Sequence, residues 1–184
     1  MSLSDADLVL AFDLAPVGLC VLRQRIVQRC NEAFATMFGY QPEELAGQST
    51  SRLYPSPEEF ANIGARGLEK MRECGRYADE RIMKHRGGRL FWCHVSGRAL
   101  ERDDPFGCAV WMFEDISWRR PITAQLTRRE REVVQLLVEG KTTKQIARTL
   151  MLSARTVDAH RGRLLRKMKV RTSGELISRL AGNR

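Results

Sequence analysis

The sequence predicts an α+β domain with one antiparallel sheet, followed by a smaller domain made of helices. Near residue 126 the apolar residues change from the short runs typical of strands to helical spacing, and the charge changes at the same place. Residues 1–122 hold 16 Lys and Arg against 17 Asp and Glu, whereas residues 123–184 hold 15 against 5. We therefore predict domains over 1–118 and 126–184, with a linker over 119–125 in which Pro121 prevents helix continuation.

The composition is that of a folded chain without a membrane segment. Of the 184 residues, 43% are hydrophobic and 29% are charged. Apolar runs such as Val17–Leu22 fall far short of the roughly 20 residues that a membrane helix needs. Asp5 and Asp7 stand where a secretory signal would carry Lys or Arg. The five cysteines form no Cys-x-x-Cys pair, which favours reduced thiols over disulfides or zinc. We expect a cytoplasmic protein with no membrane partner and no metal.

The first 118 residues alternate apolar strands with turn signals around two helical blocks. Asn31 and Gly39 are residue types that begin and end a helix, and Arg86–Arg89 contains two glycines suited to a turn between strands. The predicted order is two strands, two helices and three strands, over 17–22, 26–29, 31–38, 58–74, 77–84, 90–100 and 107–116. This order predicts a five-stranded antiparallel sheet with helices.

The last third of the chain shows the signals of consecutive short helices. Thr127 and Glu130 form a capping box, in which each side chain accepts from the backbone amide of the other residue. An apolar stripe follows as far as Gly140, where the first helix should end. We expect Thr143 to cap a second helix and Ser153 to cap a third.

Only Met151 and Leu152 separate the second and third predicted helices. Two helices joined this tightly form a helix-turn-helix, whose second helix lies in the major groove of DNA with its N-terminal residues toward the base edges. Helical spacing places Val157, Leu164 and Met168 on the buried side of the third helix. The basic charge of this domain fits a polyanionic partner of that kind.

This domain resembles the LuxR/FixJ-type DNA-binding domain in many fixed spacings. The matching residues are Leu126-Thr127-x-x-Glu130-x-Glu132-Val133, Gly140-Lys141-x-x-Lys144-Gln145-Ile146-Ala147-x-x-Leu150 and Ser153-x-x-Thr156-Val157-x-x-His160-x-x-x-Leu164-x-x-Lys167-Met168. The stretch Arg155–Arg161 is especially similar to the FixJ-like branch. The resemblance implies a four-helix module, with its fourth helix over about Ser173–Leu180, that binds paired DNA half-sites as a homodimer.

Helix geometry assigns roles on the DNA side. The outward turns of the third helix should present five residues to the groove: Arg155, Asp158, Ala159, Gly162 and Arg163. Arg155 suits bidentate contact to guanine, and Ala159 could meet a thymine methyl group. Other residues are better placed for phosphates, namely Lys144, Thr156 and either Arg161 or Arg166.

Two positions of the third helix leave alternatives open. Asp158 departs from the common LuxR pattern, which has a Lys there. Because an acid repels phosphate, Asp158 must either contact a cytosine amino group or orient a neighbouring Arg. His160 is interpreted either as a helix-packing residue at the edge of the domain or as a phosphate contact.

The first 118 residues resemble a PAS sensory domain. The residues that carry the resemblance are Ala15-Pro16-Val17-Gly18, Asn31-x-Ala33-Phe34, Phe38-Gly39-Tyr40, Glu43-Glu44-Leu45-x-Gly47, Gly75-x-Tyr77, Gly88 and Glu114-Asp115-Ile116-Ser117. In that family a small ligand, a cofactor or nothing lies between the sheet and the helices. Asp115, Ile116 and Ser117 are similar to the terminal Asp-Ile-Thr element that passes a change to the next domain.

The sequence disfavours flavin and haem in this domain and predicts no cofactor. The Asn-Cys-Arg-Phe-Leu element of photosensory flavin domains does not occur, and the helix over 58–74 has no His to ligate haem. A purely structural core and a bound apolar small molecule both remain open. The candidate pocket residues are Phe34, Met37, Phe38, Met83, Phe91, Val95 and Met112. Cys93 and Cys108 could sense oxidation only if exposed, and their strand positions favour burial.

The two resemblances together imply a DNA-binding transcriptional regulator whose PAS domain senses a small molecule or mediates dimerisation. No receiver domain precedes the helix-turn-helix, so phosphorelay input is not expected. RNA polymerase is a further candidate partner. The alternative is an interaction adaptor, in which the PAS domain docks on a sensor protein and the basic domain holds RNA or a protein. No nucleophile–base pair, metal set or phosphate loop indicates an enzyme.

Overall fold

The structure of the chain, a computed structural model, describes residues 4–119 and 126–181, with side chains described as far as Ile177. The chain divides into two compact units, the first ending at Asp115 and the second beginning at Ile116. The predicted domain boundaries, 1–118 and 126–184, stay predictions. Of the predicted linker over 119–125, residues 120–125 with Pro121 lie outside the described residues.

The first unit is built on one antiparallel sheet of five strands, which confirms the predicted fold class. The strands are β1 (Gly18–Arg23), β2 (Ile26–Cys30), β3 (Arg76–Lys84), β4 (Leu90–Ala99) and β5 (Ala109–Asp115). Their order across the sheet is β2-β1-β5-β4-β3. The first hairpin therefore pairs with the last strand, which places β1 and β5 in the centre.

Four helices and one 3-10 turn accompany this sheet. Their bounds are α1 (Asp5–Asp13), α2 (Glu32–Phe38), α3 (Pro42–Leu45), the 3-10 turn (Thr50–Leu53) and α4 (Pro57–Cys74). Asn31 caps α2 as predicted, because its Oδ1 accepts from the amide of Phe34 at 3.0 Å. The same atom accepts from the amide of Leu19 at 2.9 Å, so the cap also ties α2 to β1. The sequence predicted neither α1 nor α3.

Aromatic side chains fill the space between the sheet and α2. Phe34 and Phe38 from α2 meet Phe113 from β5, with ring centroids of Phe34 and Phe113 4.9 Å apart. Phe91 from β4 lies 5.4 Å from Phe38, and all four rings are buried. Ring contacts of this kind stabilise a core beyond the area that they bury.

The second unit consists of helices in the described part of the chain. These are α5 (Arg128–Val138), α6 (Thr143–Leu150), α7 (Ala154–Lys167) and α8 (Ser173–Ala181). The predicted capping box of α5 is confirmed, since the amide of Thr127 donates to Glu130 Oε2 at 2.7 Å. Ser153 caps α7 as predicted. No helix among the described residues is long and apolar enough to cross a membrane.

The cap of α6 corrects one prediction. Thr142, not Thr143, caps this helix: its hydroxyl accepts from the amide of Gln145, and its own amide donates to Gln145 Oε1 at 2.9 Å. The reason is the spacing, because Thr142 has a Gln three residues later whereas Thr143 has Ile146. Thr143 is therefore the first residue of α6, and its hydroxyl is available to other partners.

Candidate nucleic-acid interface and internal cavity

The connection between α6 and α7 is a tight turn. Met151 adopts the left-handed conformation with φ of 52°, and the amide of Leu152 donates to the carbonyl of Ala147 at 2.8 Å. Ser153 then accepts from the amide of Thr156 and starts α7. The three residues of this connection bring the end of α6 beside the start of α7, as in a helix-turn-helix.

The first three turns of α7 separate into a buried and an exposed side. Val157 and Leu164 are completely buried, and Met168 beyond the helix end is buried as well. The residues predicted to face the groove lie on the other side, where Arg155, Asp158, Ala159 and Arg163 are exposed and Gly162 is half-buried. A Cβ at position 162 would meet no atom within 4 Å. This side of α7 is free to contact another molecule within the described structure.

The residues predicted to contact phosphates differ in how exposed they are. Lys144 in the first turn of α6 and Arg166 near the end of α7 are exposed. Thr156 is half-buried, and its hydroxyl oxygen lies 2.8 Å from that of Ser153. Lys144 and Thr156 thus lie in the first turns of α6 and α7, where the positive end of the helix dipole favours an anion.

Arg161 is engaged inside the second unit. Its Nη1 donates to the hydroxyl of Thr143 at 2.5 Å, and its Nη2 donates to the hydroxyl of Ser173 at 2.7 Å. Its side chain is only 23% exposed. Arg161 thereby connects the middle of α7 to the first residues of α6 and α8, a contact that sequence reasoning missed.

Asp158 and His160 occupy contrasting environments. A carboxylate oxygen of Asp158 accepts from Thr143 Oγ1 at 3.3 Å and lies 4.0 Å from Arg161 Nη1, although the side chain is 63% exposed. His160 is half-buried, and its Nδ1 is buried without a hydrogen-bond partner in the described structure. Asp158 therefore belongs to the same cluster as Thr143 and Arg161.

The last turn of α7 is fixed by an ion pair with the start of α5. Lys167 Nζ donates to Glu130 Oε2 at 2.6 Å, and the Glu130 side chain is almost fully buried. Burial alone would raise the pKa of Glu130, but the hydrogen bonds from Lys167 and from the Thr127 amide outweigh it and lower the pKa. Glu130, which belongs to the capping box of α5, thus also holds α7 in place.

The first unit contains an internal cavity between the inner face of its sheet and α4. Its volume is about 30 Å³, and its wall combines apolar side chains with Arg25, Tyr54, Tyr77 and Arg81. Sequence reasoning missed these polar residues. The signal for Tyr77 and Arg81 is alternation, because residues 77, 79, 81 and 83 of a strand share one face.

The residues predicted to line a pocket mostly lie elsewhere. Met83 lines the cavity. Phe34, Phe38, Phe91 and Val95 are completely buried but do not line it, and Met37 is partly buried against the same core. Met112 alternates with the buried Trp111 and Phe113 along β5 and therefore faces the other side of the sheet.

The three predicted signal-transfer residues span the division between the two units. Asp115 ends β5, and its carboxylate lies 3.7 Å from Arg89 Nη2. Ile116 is buried and begins the second unit, and Ser117 follows it. No group of three or more His, Cys, Asp and Glu side chains able to hold a metal ion occurs in residues 4–119 and 126–177.

Two family models match the chain, one for each unit. A PAS domain model matches residues 16–117, more than half of the chain. A model described as bacterial regulatory proteins, luxR family, matches residues 124–180. The predicted identity of both regions is confirmed by these matches.

Individual relatives agree with the models. The PAS domain of a LuxR-family transcriptional regulator from Burkholderia thailandensis, solved in complex with ethanol, is 50% identical, with a TM-score of 0.58, and the match covers 59% of this chain and 96% of that one. The spore germination protein GerE of Bacillus subtilis is 44% identical over 55 residues, which are 30% of this chain and 74% of GerE.

A longer relative matches more of the chain. The sensor protein TdiS of Thauera aromatica is 32% identical over 131 residues, which are 71% of this chain but only 24% of TdiS. The chain therefore spans about a quarter of the length of that relative. Taken together, the sheet domain, the helix-turn-helix and the two matches show that the chain belongs to the PAS domain family and, through its C-terminal helices, to the luxR family of bacterial regulatory proteins.

Proposed function

We propose that the chain is a cytoplasmic transcriptional regulator that binds specific sites on double-stranded DNA through α7. One observation carries this proposal, the two-sided character of α7. Val157 and Leu164 are buried on one side of the helix. On the other side Arg155, Ala159 and Arg163 are exposed. A helix presented in this way next to a tight turn is the arrangement that enters a major groove.

Arg155 and Ala159 are the proposed contacts to base edges. Arg155 is exposed in the first turn of α7, where a guanidinium can donate two hydrogen bonds to O6 and N7 of guanine. Ala159 lies one turn further on the same side and offers a methyl group to thymine. Gly162 and Arg163 continue this side along the groove.

Phosphate contacts are proposed for the residues that flank the groove-facing side. Lys144 and Thr156 lie at the starts of α6 and α7, and Arg166 lies beyond the second turn. Contacts of this kind position a protein without reading sequence, and they make affinity depend on salt. Because Arg161 bonds to Thr143 and Ser173, we propose that it acts chiefly by holding the helices in place, with Asp158 orienting it.

We further propose that the chain acts as a homodimer whose PAS domain supplies the input. Two copies of α7 would then bind half-sites whose separation is one DNA turn, about 34 Å, or a multiple of that distance. The relative from Burkholderia thailandensis was solved with ethanol bound to its PAS domain, which supports small-molecule input here. Asp115, Ile116 and Ser117 are the proposed path of the change, and RNA polymerase is a proposed partner at the promoter.

Selection of bound duplexes from a random library, using the full chain, tests this proposal. We expect a recurring half-site that appears twice at a fixed spacing and that the protein protects in a footprint. The control is the Arg155→Ala variant. It should still bind DNA through its phosphate contacts, but the duplexes that it selects should lack the recurring guanine. Enrichment of no sequence, or binding of single-stranded RNA in preference to duplex, would favour the adaptor alternative instead.

A further inference from the structure

The cavity of the PAS domain has two guanidinium groups in its wall, and no carboxylate is among the residues that line it. Arg25 comes from the turn between β1 and β2, and Arg81 comes from the inner face of β3. Two positive charges in the wall of so small a cavity need an explanation, since a buried charge is costly unless it is paired.

Arg81 is only partly satisfied by its protein partners. Its Nη1 donates to the hydroxyl of Tyr54 and its Nε to Asp79 Oδ1, both at 2.7 Å, and Tyr77 donates to Asp79 Oδ2 at 2.8 Å. Its Nη2 is buried and lies 2.5 Å from the same Oδ1 as the Nε, an ion pair without hydrogen-bond geometry, and it has no other acceptor in the described structure. A fully buried guanidinium therefore keeps donor capacity at the cavity.

Contacts with α4 hold Arg25 at the cavity. Gln24 and Arg25 form the two-residue turn between β1 and β2, which requires their positive φ angles of 48° and 62°. The guanidinium of Arg25 lies 3.3 Å from the ring centre of Phe60 and donates to the Phe60 carbonyl. A Cβ at Gly64 would overlap this guanidinium, so α4 has a glycine where the group passes.

The charges of this region sum to an excess of one positive charge. Asp79 compensates the charge of Arg81, whereas the contacts of Arg25 are a backbone carbonyl and aromatic rings. Burial lowers the pKa of Arg25, Tyr54 raises it and the positive charge of Arg81 lowers it, so an anion between the two arginines would relieve their repulsion. The rest of the wall is apolar, with Leu22 and Met83 among its members.

We propose that this cavity binds a small carboxylate of about one to three carbons. One carboxylate oxygen accepts from Arg81 Nη2 and the other from Arg25, because a planar oxyanion matches guanidinium donors. Tyr54, which accepts from Arg81, still has its own proton to donate, and the short apolar tail lies against Leu22 and Met83. This inference rests on the proposed function in that the cavity is taken as the site of PAS input.

Calorimetric titration of the full chain with formate, acetate and propionate tests the site. We expect saturable binding in the titration. In thermal unfolding of the same samples, the bound carboxylate should raise the unfolding temperature by mass action. Ethanol and acetamide match acetate in size but carry no charge. They should bind at least about tenfold more weakly, because a charge-assisted hydrogen bond is lost. Nitrate is a planar oxyanion without an alkyl tail. It should bind more weakly than propionate, because it lacks the apolar contact.

Variants locate the carboxylate. Arg25→Gln leaves the Arg81–Asp79 pair intact and should weaken acetate binding about tenfold or more. Arg23→Gln removes an exposed charge two residues away and should leave acetate binding unchanged. Equal binding of acetate and acetamide, equal binding by the two variants, or no binding of any carboxylate would overturn the proposal.

DNA binding of the same samples separates this inference from the proposed function. If no carboxylate binds while the chain still binds its selected duplex, the carboxylate site is wrong and the regulator stands. If acetate binds in the Arg25-dependent manner while no duplex is selected, the site is supported and the DNA-binding function fails.

Discussion

Nη1 of Arg161, in the middle of α7, donates to the hydroxyl of Thr143, the first residue of α6, at 2.5 Å. Its Nη2 donates to Ser173 at the start of α8. One guanidinium therefore helps to fix the orientation of α7 relative to α6 and α8. The exposed side of α7 depends on this contact for its orientation, although Arg161 itself need not touch DNA.

Replacement of Arg161 by alanine should destabilise the second unit. Two hydrogen bonds from a charged, mostly buried group are lost, and we expect the free energy of unfolding to fall by about 2 kcal/mol. Urea unfolding followed by far-UV circular dichroism measures it. The matched control is Arg163→Ala, on the exposed side of the same helix, which should change stability by less than about 0.5 kcal/mol. Equal stability of the two variants would contradict the role of Arg161.

The Glu130–Lys167 pair predicts a pH dependence with a definite sign. Because the folded pKa of Glu130 is lowered, its contribution is complete above the ordinary glutamate pKa of about 4.3 and is lost as the pH falls through the folded value. Glu130→Gln should therefore lower stability at pH 7 by about 1 kcal/mol and by progressively less in acid. Urea midpoints between pH 7 and pH 3 check this, with the exposed Glu43→Gln as control. A pH-independent difference would contradict it.

Two glycine-to-alanine changes should have opposite signs. Gly97 lies opposite Tyr77 in the sheet, and a Cβ there would overlap the indole of Trp111, so Gly97→Ala should destabilise the PAS domain by about 1–3 kcal/mol. Gly162 has open space, and Gly162→Ala should stabilise α7 by about 0.5–1 kcal/mol. Thermal unfolding of both variants measures this. A stabilising Gly97→Ala would show that the indole can move at no cost.

The cysteines should differ strongly in reactivity. Burial raises the pKa of Cys93 and Cys20 well above the ordinary thiol value and the pKa of Cys30 to about 11, whereas Cys74 is exposed. Since the thiolate is the reactive form, a short maleimide pulse at pH 7.5 (about one unit below the free thiol pKa) should label Cys74 first. Mass spectrometry locates the label. Labelling of Cys93 at the rate of Cys74 would contradict its burial.

The second unit could be predicted from its sequence because its signals are local. Thr127 with Glu130 and Ser153 with Thr156 lie three residues apart, so the caps define the helices without tertiary information. The same rule, applied to Thr142 and Gln145, would have placed the start of α6 correctly. The strands of the sheet were predicted within one or two residues for a similar reason, since apolar runs and turn residues are local signals.

The cavity could not be predicted because its polar contacts are distant in sequence. Arg81 meets Tyr54, which is 27 residues earlier, and Arg25 meets Phe60, which is 35 residues later. Alternation along β3 shows only that Tyr77 and Arg81 share a face. Whether that face holds packed rings or a cavity depends on α4 and on glycines such as Gly64, which no local pattern reveals.

The central claim is that α7 enters the major groove with Arg155 at a base edge and Lys144 at a phosphate. Fluorescence anisotropy of the full chain with its selected duplex and a scrambled duplex, across a series of salt concentrations, tests it most directly. Arg155→Ala should lose about 1–3 kcal/mol on the selected duplex only. Lys144→Ala should weaken both duplexes equally and reduce the salt slope by about one.

The control for this measurement is Arg98→Ala, which removes an exposed charge from β4 of the PAS domain and should leave both affinities unchanged. If the Arg155 and Lys144 variants bind the selected duplex with the affinity and salt slope of the parent chain, α7 does not lie in the groove in this way.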